Sequence, residues 1–367
     1  MSQENVSQKS DPKKVAVVLM NLGGPDQMES IEPFLFNFFM DKNIIGAPLP
    51  IRYFIAKMIS KRRSKGEALE AYSALGGKSP LLENTQLQRQ ALERSLNNEQ
   101  KEQDTEFKCF VTMRYWHPMA AETVKAVQGY APDHVILIPL YPQFSTATSY
   151  SSYQAWYQAC RKLKYDPPMA SVCCYPFDEG FLQASADLVA HAYTKAVQEN
   201  PNHKIRVLFS AHGLPEVTVK RGDPYQWQCE QGAAKMAAAT GISDLDWQIC
   251  YQSRVGPLKW IGPSTEEALE QASKDGVGVL IYPHAFVSEH VETLVEIEEE
   301  YREVAQELGV KSFDRVPTVS THPKFIVGLK KVVLDLLDKQ GILSPEYTHD
   351  SICPSGFKNC CQRRQPK

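Results

Sequence analysis

The chain has 367 residues, a length that corresponds to two or three domains at about 150 residues each. Charged residues make up 23% and hydrophobic residues 43% of the chain, which excludes a disordered protein, a collagen-like repeat and a coiled-coil rod. The formal net charge is −3, so no global positive field indicates nucleic-acid binding. No run of about 18 apolar residues predicts a membrane-spanning helix.

The first residues of the chain are polar. Residues 1–14, MSQENVSQKSDPKK, show neither the apolar segment of a secretory signal nor the arginine-rich pattern of a transit peptide. We therefore expect a cytoplasmic protein in which residues 1–13 form a short flexible N-terminus. Nine cysteines in a reducing compartment are expected to stay free thiols. Six of them are scattered, as small buried hydrophobes are, but Cys353, Cys360 and Cys361 lie together in a polar tail.

Eight short apolar runs, each closed by Gly, Pro or a polar residue, predict β-strands. Their continuous rather than alternating apolar character indicates strands that are buried on both faces, as in a parallel sheet. The runs cover residues 15–20, 107–113, 134–140, 169–175, 205–210, 246–251, 277–282 and 314–319. Helical patterns separate the runs, and this alternation predicts an α/β fold.

Each half of the chain contains four predicted strands in a similar order of elements. This pattern predicts two tandem doubly wound domains, each a four-stranded parallel sheet flanked by helices. We place the domains at residues 14–176 and 177–340, followed by a cysteine-containing tail at 341–367. Ligands of such folds bind beyond the carboxyl ends of the strands, so candidate functional residues are sought there.

The first two strands end in distinctive segments. NLGGP follows the first strand, and its two glycines allow close backbone approach to a ligand, although the spacing matches neither a dinucleotide fingerprint nor a P-loop. The second strand ends in MRYWHP, where Arg114 and Tyr115 are candidates for clamping a carboxylate. A guanidinium offers a planar fork of donors for that purpose. The alternative is a turn with one surface arginine.

Histidine and glutamate follow two strands of the second half. The fifth strand runs into SAHGLP, which places His212 at a strand end, where imidazole accepts a proton or binds a metal near neutral pH. After the seventh strand, beside His290, a helical pattern carries four acidic side chains at spacings of three, four and four residues. They are Glu289, Glu292, Glu296 and Glu300. This stripe predicts a path for a divalent metal or protons, and the alternative is a solvated face of an amphipathic helix.

Residues 48–65 combine an apolar stripe with a basic end. The apolar side chains recur at i, i+3, i+4, i+7 and i+8, and lysines and arginines follow them. The stripe consists of Ile51, Phe54, Ile55, Met58 and Ile59. Such a helix is typical of a peripheral contact with an anionic membrane surface. The alternative is a helix packed on its own domain with a solvated basic end.

Seven segments, in the same order from about residue 15 to about residue 335, resemble the ferrochelatase family. The segments are NLGGP, YSALGGKSPL, MRYWHP, IPLYPQFS, SAHGLP, YQSRVGPLKWIGP and AFVSEHVETLVEIEEEY. The resemblance implies two Rossmann-like domains with the active site in a cleft between them. It also implies a lyase that inserts its substrate Fe²⁺ into protoporphyrin IX, with release of two protons, as the last step of haem biosynthesis.

The resemblance also assigns individual residues. His212 matches the essential active-site histidine and Glu292 matches its partner acid, both on the metal route. The acidic track that leads to them, and so the path of iron, corresponds to Glu289, His290, Glu296 and Glu300. The positions that line the porphyrin correspond to Leu22, Tyr72, Ser79, Arg114, Tyr115 and Trp260. Whether His212 accepts protons or binds the metal stays open.

The cysteine tail resembles that of ferrochelatases that hold a [2Fe–2S] cluster, a group that takes four thiolates. Cys353, Cys360 and Cys361 supply three. The segment FSTATS, where animal-type members carry the fourth, has no cysteine. By similarity to bacterial members we assign Cys160, in SSYQAWYQACRKL, as the fourth ligand. The adjacent residues 173 and 174 are competing cysteines, and a zinc site or free thiols are the alternatives.

The sequence also leaves other functions as alternatives. A coproporphyrin ferrochelatase acts on a tetracarboxylate porphyrin and is favoured by additional arginines or lysines near the cleft. A non-catalytic haem or porphyrin carrier needs apolar walls and a histidine but no acidic track. A two-domain periplasmic binding protein is disfavoured by the polar N-terminus. A monomer and a homodimer are both compatible with the sequence.

Overall fold

Two parallel sheets organise the computed structural model, which describes residues 12–98, 105–254 and 258–364. Residues 1–11 of the predicted flexible N-terminus therefore lie outside the described residues, and Lys13 is already part of the first strand. Both sheets are flanked by helices, as the alternation of strand and helix patterns predicts. No helix of the described ranges is long and apolar enough to span a membrane.

The first half begins with a strand and a helical excursion before the second strand. Its elements are β1 (Lys13–Asn21), a 3₁₀ turn (Met28–Ser30), α1 (Ile31–Phe39), α2 (Leu49–Arg63), α3 (Glu67–Ala74), α4 (Leu81–Asn98), β2 (Thr105–Met113), α5 (Ala120–Tyr130), β3 (His134–Pro139), α6 (Ser149–Lys162) and β4 (Met169–Val172).

The second half ends with a helix and a strand that return to the first sheet. Its elements are α7 (Glu179–Glu199), β5 (Ile205–His212), α8 (Glu216–Lys220), α9 (Tyr225–Ala239), β6 (Trp247–Gln252), α10 (Thr265–Lys274), β7 (Gly278–Pro283), a π-helix (Glu292–Glu300), α11 (Tyr301–Glu307), β8 (Phe313–Arg315), α12 (Pro323–Asp335) and β9 (Gly341–Leu343).

The two sheets share one strand order. Within the described residues the first sheet is ordered β2-β1-β3-β4-β9 and the second β6-β5-β7-β8, and every pairing is parallel. The tandem doubly wound α/β architecture is confirmed. The prediction of four strands in the first sheet was wrong, because Gly341–Leu343 adds a fifth beside β4. Three residues are too few to show a hydrophobic period in the sequence.

The burial of β1 explains the continuous apolar runs. Residues 15–20 are at most 1% exposed. Val15, Val17 and Leu19 pack into an inner cluster with α4, α7 and α12, whereas the alternate residues pack into an outer cluster with α5 and α6. The inner cluster continues into β5 of the second sheet. The two halves therefore share one hydrophobic core, which fixes the strand ends of one sheet relative to those of the other.

The excursion α1–α3 builds a smaller cluster near the carboxyl end of the first sheet. Phe34, Phe39 and Tyr72 form its buried part, and Leu22 and Val291 pack against it. Val291 immediately precedes the π-helix of the second half. This cluster therefore places a wall from the first half beside the start of the acidic helix.

The acidic segment is helical, but its first nine residues adopt the π form and only Tyr301–Glu307 is α-helical. The sequence predicts an ordinary amphipathic α-helix here, and this prediction was wrong for Glu292–Glu300. Thr293, Val295 and Ile297 are buried. Hydrogen bonds between residues five apart are rare in proteins and frequently mark functional sites.

Candidate active site

His212 is the last residue of β5, which lies between β6 and β7 in the second sheet. The five preceding residues, 207–211, are buried, so the imidazole extends from a rigid element. Gly213 has no room for a side chain, since a Cβ there would lie 2.9 Å from the carbonyl oxygen of Gln252 and 3.1 Å from the ring of Trp260. The glycine thus allows Trp260 to pack directly beside the catalytic candidate. Residues 255–257 of the YQSRVGPLKWIGP segment lie outside the described residues.

Glu292 lies between two histidines. Its Oε2 atom is 3.1 Å from Nδ1 of His212 and 3.7 Å from Nε2 of His290. The side chains of His212, Glu292 and His290 are 37%, 26% and 7% exposed, respectively. The acid is therefore flanked by a buried imidazole on one side and an accessible imidazole on the other.

The two partners shift each other's pKa values. Burial opposes the charged form of His212, but the charge of Glu292 and its hydrogen bond outweigh burial and raise the pKa of His212 above its ordinary value. Burial also opposes the charged form of Glu292, and the charges of His212 and His290 overcome it and hold the pKa of Glu292 well below its usual range. The carboxylate thus stabilises a proton on His212.

Two further carboxyl groups follow Glu292 on the π-helix, and the three together form an acidic ladder (Glu292, Glu296 and Glu300). Burial and then the charge of Glu292 raise the pKa of Glu296. Burial and then the charge of Glu67 raise the pKa of Glu300, which lies at the exposed end. The ladder leads from the surface to the pair with His212.

Sequence reasoning missed the residues that hold the middle of the ladder. Oε2 of Glu296 accepts hydrogen bonds from Nε2 of Gln252 at 3.0 Å and from the hydroxyl of Ser253 at 2.6 Å, and Oε1 accepts one from the hydroxyl of Tyr301 at 3.2 Å. Gln252 ends β6, so the rule that strand ends carry ligand-binding side chains could have identified it.

Glu289 points to a different partner. Its carboxylate lies 3.1 and 3.2 Å from Nη1 of Arg315 and accepts a hydrogen bond from the backbone N–H of Thr318 at 2.9 Å. Nε of Arg315 also donates to Glu298 at 2.7 Å. The structure therefore brings His290, Glu292 and Glu296 to His212 but directs Glu289 to an arginine. The place of Glu289 on an iron path stays a prediction.

The predicted lining residues Leu22 and Tyr72 lie in the wall from the first half, and Ser79 packs against Gly24 of the NLGGP segment. Leu22 is half-buried against the cluster that contains Tyr72, and the pKa of the Tyr72 hydroxyl is raised by burial and then by the charge of Glu292. A Cβ at Gly24 would lie 2.5 Å from the side chain of Ser79. The glycines of NLGGP thus allow close packing of two loops, which is the close approach that their lack of a side chain permits.

Arg114 and Tyr115 bind Asp41, a residue that sequence reasoning missed. Nη2 of Arg114 donates to Oδ2 of Asp41 at 2.9 Å, and the hydroxyl of Tyr115 donates to the same oxygen at 2.8 Å. Nε of Arg114 donates to Ser151 at 2.6 Å. Tyr115 is fully buried. In this structure Tyr115 packs within the α1–α3 cluster, and both residues are bound to Asp41. Their contact with a porphyrin stays a prediction.

Nearly the whole chain matches one protein family. The family model named ferrochelatase matches residues 14–337. The chain belongs to the ferrochelatase family.

Relatives in this family cover nearly the whole chain. A ferrochelatase of Pelagibacter ubique is 45% identical over 350 residues, which are 95% of this chain and 98% of that protein. A ferrochelatase of Caulobacter vibrioides is 49% identical over 327 residues, 89% of this chain and 91% of that protein. The solved structure of SirB from Bacillus subtilis with Fe³⁺ covers 88% of this chain and 95% of its own, with 11% identity and a TM-score of 0.50. That likeness shows a shared fold.

Five cysteines of this ferrochelatase-family chain, from two segments that are distant in sequence, lie close together in space. The Sγ atoms of Cys173 and Cys174 are 3.4 Å apart, and the amide of Gln228 donates to both Cys174 and Cys353, at 3.4 and 3.2 Å. Cys353 forms a hydrogen bond with Cys360. The predicted tail ligands thus gather beside the competing pair.

Proposed function

We propose that this chain inserts Fe²⁺ into protoporphyrin IX, forming protohaem and releasing two protons. The observation that carries the proposal is the contact of 3.1 Å between an accessible His212 and Glu292, backed by the acidic ladder. Leu22 and Trp260, which are partly exposed, supply apolar and aromatic surface near this pair, and the buried Tyr72 belongs to the same cluster as Leu22. Such a surface suits a flat tetrapyrrole.

The proton acceptor follows from the orientation of His212. Its Nδ1 atom faces Glu292, so its Nε2 atom is the one available to a pyrrole N–H of the porphyrin. Neutral His212 takes that proton as a general base, and Glu292 stabilises the imidazolium that results. Glu296, whose pKa is raised by burial and by Glu292, is suited to carry a proton onward to Glu300 and solvent.

Iron is a substrate of this reaction, and the ladder suits its delivery. Carboxylate oxygens replace the water ligands of Fe²⁺ stepwise, from the exposed Glu300 towards Glu292. Within the described parts of the chain, no three His, Cys, Asp or Glu side chains are arranged to hold one metal ion. A substrate ion has to move on to four ring nitrogens, and successive contacts with few ligands release it more readily than a closed cage.

The test is metallation of two porphyrins by the purified protein. Protoporphyrin IX and coproporphyrin III are each mixed anaerobically with Fe²⁺ or Zn²⁺, and the spectrum of the metalloporphyrin is followed. We expect protoporphyrin to be the better substrate, because the charge of Arg114 is already matched by Asp41. Faster turnover of coproporphyrin would reverse the specificity. Tight porphyrin binding without metallation would indicate a carrier and contradict the proposed reaction.

We propose further that α2 docks on an anionic membrane surface. Its small residues Ala56 and Ser60 face the protein, while large apolar side chains face outward at 50–68% exposure. The outward residues are Leu49, Ile51, Tyr53, Phe54 and Met58, whereas Ile55 and Ile59 of the predicted stripe are half-buried and Ile59 packs against the α1–α3 cluster. Lysines and arginines fill the last turn of the helix. This arrangement supports the peripheral helix over a helix packed on its own domain by its apolar face.

Sedimentation with vesicles tests the membrane proposal. Binding to vesicles of phosphatidylcholine and phosphatidylglycerol is compared with binding to phosphatidylcholine alone. We expect Phe54→Glu to reduce binding to the anionic vesicles by about tenfold or more. Val327→Glu is the matched control, because Val327 on α12 is 59% exposed and lies on another helix. Equal binding of the two variants and the unmodified chain would contradict the proposal.

We propose finally that the tail cysteines hold a [2Fe–2S] cluster. The sulfurs of Cys353 and Cys360 are hydrogen-bonded, Cys361 follows in sequence, and the Cys173–Cys174 pair adjoins them. This set of buried thiols fits a group that takes four thiolates. When bound, the cluster supplies covalent cross-links and a one-electron couple. Visible absorption together with iron and acid-labile sulfide content tests its presence, and an iron-free, colourless, folded protein would contradict it.

A further inference from the structure

The tail begins beside the strand that precedes the vicinal cysteines. Gly341–Leu343 pairs with residues 170–172 of β4, and the backbone N–H of Cys173 donates to the carbonyl oxygen of Leu343 at 2.7 Å. Cys173 and Cys174 therefore follow directly from the point where the tail is anchored. Backbone pairing thus fixes the first residues of the tail next to these two thiols.

Side-chain contacts continue this proximity to the tail sulfurs. The single amide nitrogen of Gln228 donates to Sγ of Cys174 and to Sγ of Cys353, so one donor spans both segments. Burial raises the pKa of the Cys361 thiol, and the neighbouring thiols of Cys173 and Cys360 raise it further. The thiols of Cys173 and Cys174 thus border each of the three tail cysteines.

A second set of contacts holds the tail over this group. The backbone N–H of Asn359 donates to the carbonyl oxygen of Gly222 at 3.0 Å, and its side-chain amide donates to the carbonyl oxygen of Arg221 at 2.9 Å. Gly222 has a positive φ, and a Cβ there would lie 2.7 Å from the backbone nitrogen of Lys358. The segment between Cys353 and Cys360 is therefore packed closely on the second half, which fixes where its thiols lie.

Cys160 shares a hydrophobic cluster with Cys173, Cys174 and Cys361, but its charged neighbours are different. It lies near the end of α6, and the charged side chains that act on its thiol are Asp166 and Arg161. Tyr157, on the same helix, neighbours both Cys160 and Cys361. An aromatic side chain of α6 thus lies next to Cys160 on the side of the tail.

We propose that the Cys173–Cys174 pair, and not Cys160, supplies the fourth thiolate of the cluster. This inference rests on the proposed cluster and names its ligands in this chain. The thiols lie in adjoining pairs, Cys173 with Cys174 and Cys353 with Cys360. A [2Fe–2S] cluster takes four thiolates, and the Cys173–Cys174 pair adjoins all three of the tail cysteines.

Serine variants of the full chain test the assignment. We expect Cys160→Ser to keep the iron and acid-labile sulfide content, the visible absorption and the electron paramagnetic resonance signal of the reduced cluster. We expect the double variant Cys173→Ser/Cys174→Ser to lose at least about nine-tenths of each signal, and the two single variants to show which cysteine is the ligand. Cys250→Ser, a buried cysteine of β6, is the matched control with full content.

Several outcomes would overturn the inference. Loss of the cluster in Cys160→Ser would do so, and so would a full complement of iron and sulfide in the double variant. If the double variant fails to fold, the comparison of Cys160→Ser with the unmodified chain still decides the question. Absence of iron and sulfide from the unmodified chain would instead reject the proposed cluster, which separates the two failures.

Discussion

The polar groups near the strand ends differ in exposure between the two sheets, because those of the first sheet form a largely buried network and those of the second stay partly exposed. In the first sheet, Oδ2 of Asp41 accepts hydrogen bonds from Arg114, Tyr115 and Ser151, and Oδ1 accepts two from Asn43, one from its backbone N–H and one from its side-chain amide. In the second sheet, His212 and Glu292 bind each other and stay partly exposed. Nδ1 of His290 is buried and has no hydrogen-bond partner within the described residues.

This difference in burial and hydrogen bonding distinguishes polar groups that stabilise the fold from polar groups that can react. A saturated, buried network stabilises the fold, because each member would be costly to leave unpaired. A pair that is open to a ligand, with shifted pKa values, is suited to proton transfer. The comparison therefore predicts changes in activity for one site and changes in stability for the other.

The largest expected effect is a loss of turnover when the His212–Glu292 pair of the second sheet is changed. His212→Ala removes the proposed base, and we expect turnover to fall by about 10²- to 10⁴-fold while porphyrin binding is retained. Metalloporphyrin formation and porphyrin fluorescence measure the two quantities. His191→Ala, an exposed histidine of α7, is the control and should keep full activity. Unchanged turnover of His212→Ala would remove His212 from the mechanism.

The next largest effect is a loss of protein stability when the Asp41 network of the first sheet is changed. Asp41→Asn removes the charge that pairs with Arg114 in a largely buried place, and we expect the free energy of unfolding to fall by about 3 kcal/mol. Urea unfolding measures it. Asp338→Asn, at a highly exposed pair with Lys13, should change nothing measurable. If Asp41→Asn leaves stability intact and abolishes turnover, the division between the two sites is wrong.

A smaller effect concerns the pH dependence of kcat/KM. His212 is active when neutral, and Glu292 raises its pKa, so kcat/KM should rise as pH increases through that raised pKa. In Glu292→Gln the raising charge is gone while burial still lowers the pKa, so the acidic limb should move to lower pH. An acidic limb at the same pH in both proteins would show that another group is the titrating base.

The smallest effect separates Glu289 from the acidic ladder. Glu289→Gln weakens the pairing with Arg315, and we expect a loss of about 1–2 kcal/mol in the free energy of unfolding with an unchanged KM for iron. Glu296→Gln should instead raise the KM for iron several-fold at nearly constant stability. Steady-state kinetics and urea unfolding are measured on both variants. A larger rise in KM for Glu289→Gln would return Glu289 to the iron path.

Much of the fold and part of the site could be predicted from the sequence. The continuous apolar run that became β1 indicated burial on both faces, and the residues after β5 placed His212 at a strand end. The partner Glu292 and the family followed from segments that resemble ferrochelatases. These features depend on local pattern, so the sequence displays them directly.

Other features could not be read from local pattern. Asp41 follows α1 in a loop, and nothing nearby indicates that it binds Arg114, more than 70 residues away. The ion pair of Glu289 with Arg315 and the strand β9 likewise depend on packing between distant segments. The π form of the acidic helix was missed because its residues fit an α-helical period equally well.

The sequence alone predicts most of the succession of strands and helices, the strand that carries His212 and the acidic residues that accompany it. Local hydrophobic period and residue chemistry are sufficient for these, because each is a property of a short segment. Tertiary packing is what shows which carboxylates face His212, which carboxylates pair with arginine, and which cysteines adjoin the tail. Those outcomes depend on the distances between side chains from distant segments, since charge interactions and hydrogen bonds act over a few ångströms of space.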